Sequence, residues 1–172
     1  MKHARIINTA LSGLVVAVGF LCLTLTACAQ QDNNKTNTPT GKPLNEQATA
    51  DAWAAYNSGK YQAAITNAEI CIEEFRGKAS LDESKLEKEK PDLPTGEVSD
   101  AVKKQIFANG LLNDVATCYF IKGRAFEKLG RKDDALKAYQ ATTKFTYARA
   151  WDPKGWFWSP AEAAEGRIEG LK

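Results

Sequence analysis

Ser58-Gly59-Lys60-Tyr61-Gln62-Ala63-Ala64-Ile65 and Leu129-Gly130-Arg131-Lys132-Asp133-Asp134-Ala135-Leu136 are the two stretches from which the fold is read. Both place a glycine, a basic residue, a small alanine and an aliphatic residue at matching positions. A glycine just past an apolar periodic run closes a helix, because it takes the left-handed backbone without a Cβ penalty. Upstream of Gly59, Ala48, Ala52, Ala55 and Tyr56 recur at helical spacing, with Trp53 on a flank. Downstream, Ile65, Ala68, Ile72 and Phe75 do the same. Around Gly130 the pattern returns, with Leu112, Val115, Cys118, Phe120, Ala125 and Phe126 before it and Ala135, Leu136, Tyr139 and Thr143 after it. Each stretch is therefore the elbow of an αα-hairpin, and the chain is expected to be all-α with an internal repeat over residues 45–172.

Tyr119, Gly123, Phe126, Ala135 and Tyr139 resemble the skeleton of the tetratricopeptide repeat family. That resemblance implies that Gly123 and Ala135 lie where paired helices approach closely, and that the aromatics fill between them. Lys122 and Thr142 depart from the family pattern, and no proline closes the unit near Tyr147. Gly59 and Gly130 are 71 positions apart, about twice the usual period of ~34 residues. A charged helical insertion over residues 77–98 is expected to occupy the difference. After it, Ser99 is expected to cap a helix from Asp100 that buries Val102, Ile106 and Phe107.

The start of the chain is of another kind. Lys2 and Arg5 precede an uncharged stretch from Ile6 to Ala27 with an apolar core at 14–21, which reads as a secretory signal over residues 1–27. Leu25-Thr26-Ala27-Cys28 resembles the lipobox of bacterial lipoproteins. The resemblance implies acylation of Cys28 and attachment to a bilayer through two or more acyl chains, which hold far more firmly than one. Ala29 and Gln30 after the cysteine favour the outer membrane, facing the periplasm, because the family's inner-membrane signal is an aspartate there. Residues 28–44 are polar and are expected to form a tether with an end-to-end distance of roughly 20–25 Å.

Composition removes several function classes. Lys and Arg number 23 against 21 Asp and Glu, and loss of Lys2 and Arg5 with the leader would balance them, so no basic surface for nucleic acid is expected. The sole histidine, His3, lies in the leader, so a histidine-based triad or metal site is not expected in the processed protein. No phosphate loop is present, and Asn113-Asp114 lacks a readable second acid for glycosidase chemistry. The reading is a non-enzyme without cofactor.

Two features remain as candidate sites. Cys71 and Cys118 fall one per repeat unit on apolar faces, compatible with a disulfide or with two buried reduced thiols. The segment 147–158 holds Trp151, Trp156 and Trp158 with Phe157 between the last two. It is expected either to pack beneath a capping helix at 160–172 or to form a binding platform, with Trp158 facing solvent and Arg149 and Asp152 hydrogen-bonding a partner. The resemblance to tetratricopeptide repeats implies a scaffold or adaptor for another envelope protein. The alternative is a glycan- or wall-binding module, or an accessory subunit of a polysaccharide enzyme.

Overall fold

A computed structural model describes residues 41–172. The expectations for the signal, the lipobox at Cys28 and nearly all of the tether lie outside the described residues. Six helices and one short hairpin follow in the order α1 (Leu44–Asn57), α2 (Tyr61–Glu89), α3 (Asp100–Ala108), α4 (Gly110–Lys128), α5 (Lys132–Thr142), β1 (Ala150–Asp152), β2 (Trp156–Trp158) and α6 (Pro160–Leu171). The fold is mostly helical, as the periodicity requires. None of the described helices is long and apolar enough to cross a membrane.

The two elbows have the same geometry. Gly59 and Gly130 sit at φ 73° and 71°. Ser58 and Leu129 before them have φ −87° and −88°, and Lys60 and Arg131 after them have φ −86° and −90° with ψ 64° and 70°. Lys60 N–H donates to Ala55 O at 2.9 Å, and Arg131 N–H donates to Phe126 O at 2.9 Å. These paired bonds close the last turn of each helix on a left-handed glycine. One local sequence solution is thus used twice, and it sets α1 against α2 and α4 against α5.

Helices α1, α2, α4, α5 and α6 share one core. Ala52, Ala64, Ala68, Cys71, Leu112, Val115, Cys118, Ile121 and Tyr139 are almost wholly excluded from solvent. Gly123 permits the closest approach in the second hairpin: a Cβ there would fall 2.5 Å from Cε1 of the Tyr139 ring. Lys122 Nζ pairs with Glu69 across α4 and α2 at 2.8 Å, and the buried Thr142 hydroxyl donates to Ala138 O at 3.0 Å.

Residues 77–98 form a helical extension and a loop, and part of the extension is buried. Their first part continues α2 to Glu89, and Ala79, Glu83 and Leu86 are buried along it. Lys90 then turns the chain in a left-handed conformation, and Leu93 enters a second, smaller core with Ile106 and Phe157. Ser99 does cap α3, its Oγ accepting from Val102 N–H at 3.4 Å. Of the three residues expected to be buried there, Ile106 is, Val102 is half-buried, and Phe107 is exposed and edge-on to Trp151 and Phe157. The capping helix is present: Ser159 Oγ accepts from Glu162 N–H, Pro160 opens α6, and Ala161 and Ala164 are buried.

Candidate functional site

The aromatic segment forms a β-hairpin instead of a loop. Ala150, Trp151 and Asp152 pair antiparallel with Trp158, Phe157 and Trp156. Asp152 Oδ1 accepts from Lys154 N–H at 2.8 Å, and Gly155 at φ 107° completes a three-residue connection. Alternation along β2 sends Phe157 one way and the flanking tryptophans the other. Phe157 is fully buried in the smaller core, and Gly96 pairs with it through bonds of 2.7 and 2.9 Å that cover the edge of β2.

Three internal clasps position this hairpin on the helices. Glu83 Oε1, from the buried side of α2, accepts from Thr146 N–H at 2.6 Å, Thr146 Oγ1 at 2.7 Å and Tyr147 N–H at 3.2 Å. Burial raises the Glu83 pKa, and these bonds offset part of that rise. The buried Asn113 amide donates to Ile106 O at 2.8 Å and accepts from Arg149 N–H at 2.9 Å. Arg149, expected from the sequence to serve a partner, is itself the third clasp. Its guanidinium donates through Nε to Leu93 O at 2.6 Å and through Nη1 to Thr146 O and Ala148 O at 2.8 Å, joining three segments of the fold.

Trp158 also differs from expectation. Its indole is half-buried, 5.1 Å from the Phe120 ring, while Trp151 and Trp156 are the exposed ones at 38 % each. What the fold adds is Trp53. This residue comes from the middle of α1, and with Trp151, Trp156 and Trp158 it lines one cavity of about 480 Å³. All four tryptophans of the chain converge on it, from segments about a hundred residues apart. Asn57, Arg124 and Asp152 supply the polar groups of the wall. A second cavity of about 440 Å³ shares Trp53 and Trp151 with the first and leads to Asp114. Asn45 donates to Asp114 at 2.6 Å, and burial pushes the Asp114 pKa up to about 6, with the Glu46 charge adding to the rise.

Arg124 is the cation in the wall of the cleft. Its guanidinium lies over the Tyr56 ring at 5.1 Å and the Phe120 ring at 5.9 Å. It makes no ion pair with an acid among the described residues. Lys103 lies against Trp151 outside the lining of the cleft, 4.2 Å from the ring centroid.

Cys71 and Cys118 are free thiols, both fully buried. They face one another across α2 and α4, and Thr49 Oγ1 lies 3.2 Å from Cys118 Sγ. The neighbouring Cys71 thiol and burial push the Cys118 thiol well above its usual range, and the two sulfurs are not bonded to each other. Among the described residues no group of three or more potential metal ligands occurs. No protein-family profile, curated protein or solved structure matches this chain.

Proposed function

We propose that this chain is a lipid-anchored envelope protein whose helical hairpins, of the tetratricopeptide type, carry a saccharide-binding cleft, and that it binds without performing chemistry. One observation carries the reading: four tryptophans from α1, β1 and β2 wall a single cavity. Flat indole faces stack on the C–H faces of sugar rings, and a volume of about 480 Å³ is in the range of small-ligand sites. The interleaved Asn57, Arg124 and Asp152 offer donors and acceptors for hydroxyl groups. A docking helix would need a row of aliphatic anchors, and only Pro153 and Ala163 of the lining are aliphatic.

Tryptophan fluorescence titrated with oligosaccharides tests the cleft directly. A saturable shift is expected, and it is expected to vanish in Trp156→Ala. Trp156 is exposed, so its loss leaves the core intact. A shift that survives Trp156→Ala, or no shift with any saccharide, refutes the cleft reading. For the anchor, globomycin is expected to cause precursor accumulation. A Cys28→Ala protein still processed and membrane-bound would refute it.

The adaptor reading keeps one specific observation in its favour. A groove of about 460 Å³ between α2, α4 and α5 has Tyr119 in its wall and Arg76, Glu87 and Lys144 on its rim. If a peptide of another envelope protein occupies it, crosslinking returns one stoichiometric partner. That partner is then lost in Lys144→Glu with saccharide binding unchanged.

A further inference from the structure

Resting on the saccharide reading of the tryptophan cleft, we infer that its ligand is an acidic sugar and that Arg124 is the residue that selects it. Arg124 projects from α4 into a wall otherwise made largely of aromatic rings, half-buried, with Tyr56 and Phe120 against its guanidinium. Ring contact holds the guanidinium plane through cation–π attraction and leaves its N–H edges unused.

Those edges meet no acceptor among the described residues. The other cations that pack against helices or aromatic rings here are mostly paired: Lys122 with Glu69, Arg131 with Asp134, Arg167 with Glu127, and Arg149 with three backbone carbonyls. The carboxylate in the same wall, Asp152, uses Oδ1 to shape the hairpin turn and stays beyond ion-pair distance from Arg124. A partly desolvated guanidinium with a free fork, beside flat faces that grip a ring, is complementary to a pyranose bearing a carboxylate. The carboxylate receives a bidentate pair while the ring stacks. A neutral sugar of the same shape would take only hydroxyl hydrogen bonds from Arg124 and forgo that pair.

The experiment uses the full chain in detergent or vesicles, with calorimetry and tryptophan fluorescence as readouts. The probes are trigalacturonic acid, its methyl ester and maltotriose, with the peptide-free muramyl disaccharide as a second carboxylate-bearing ring. The acids are expected to bind about tenfold or more tightly than the ester or the neutral trimer, the size of one charge-assisted pair. That preference is expected to shrink as salt is raised. Arg124→Gln should abolish the preference, bringing the acids down to the level of the neutral trimer, and an unchanged far-UV circular dichroism spectrum and urea midpoint show that the variant is folded. Arg124→Lys should restore part of the preference through charge without the fork.

The outcomes separate the two layers. Equal binding of acid and ester, or an acid preference that survives Arg124→Gln, overturns the acidic-sugar inference and leaves the cleft reading standing. Binding of no saccharide, acidic or neutral, overturns both.

Discussion

Replacing Gly123 with alanine should destabilise the protein although alanine is the better helix former. The new Cβ would stand 2.5, 2.7 and 2.9 Å from Cε1, Cδ1 and Cζ of Tyr139. Ordinary carbon contacts begin near 3.5 Å, so the overlap is about 1 Å against the nearest ring atom. Tyr139 has no room to yield, being fully buried with its hydroxyl donating to Glu127. Either α4 and α5 separate or the ring leaves its rotamer. Overpacking of this kind costs about 1–3 kcal/mol, and this overlap places it at the upper end. Relief of the helix-interior glycine returns about 1 kcal/mol. The net expectation is a loss of about 2 kcal/mol, or a drop in the urea midpoint on the order of 1 M for a domain of this size.

Gly77 provides the internal control. It lies in α2, exposed, with ordinary helical φ, and a Cβ added there would meet nothing within 4 Å. Gly77→Ala should therefore raise stability by about 0.5–1 kcal/mol from propensity alone. Equilibrium urea unfolding followed by far-UV circular dichroism measures both. If Gly123→Ala proves neutral or stabilising, or moves in parallel with Gly77→Ala, the close packing of α4 on α5 is not as described.

Three further outcomes follow from the same packing. The Asp114 pKa, raised to about 6 mainly by burial, means the folded state holds its proton more tightly than the unfolded chain does. Its contribution to stability is therefore full below about pH 4 and lost as pH rises through about 6; Asp114→Asn should gain about 2 kcal/mol at pH 7.5 and nothing at pH 4, and equal effects at both would contradict this. Glu83→Ala strands the Thr146 and Tyr147 N–H groups and should cost about 2–4 kcal/mol by urea unfolding, whereas Glu83→Gln, which keeps an acceptor, should cost less; a neutral alanine variant would remove the clasp. Finally, alkylation with peptide mapping should find Cys71 and Cys118 unlabelled in the native protein and labelled in denaturant, while a mapped bridge between them would contradict the free-thiol packing.

How much of this is legible in the sequence depends on the range of the interactions involved. Gly59 and Gly130 announce their elbows because a left-handed residue after an apolar helix is a local requirement, met within about eight residues. Ser99 and Ser159 are readable as caps for the same reason, since the hydroxyl reaches a backbone N–H only three residues on. Residues 77–89 look like a solvated insertion because charge dominates their composition. The buried face of Ala79, Glu83 and Leu86 is set by the distant chain at Thr146. The hairpin at 150–158 escapes a helical reading because three-residue strands carry too little alternation to register, and it depends on Gly96 to cover its edge.

Helices, their elbows and the aromatic richness of residues 147–158 were written into the order of residues, because each is set by neighbours within a few turns of chain, while the close contact at Gly123 was what the resemblance to tetratricopeptide repeats implied. Which aromatics share a surface was settled only by packing. The fold brought Trp53 of α1 to Trp151, Trp156 and Trp158, tied Arg149 to backbone carbonyls, and left Arg124 without a carboxylate. Whether a polar side chain is free for a ligand depends on which backbone acceptors the packed helices bring near it, and no spacing along one chain contains that information.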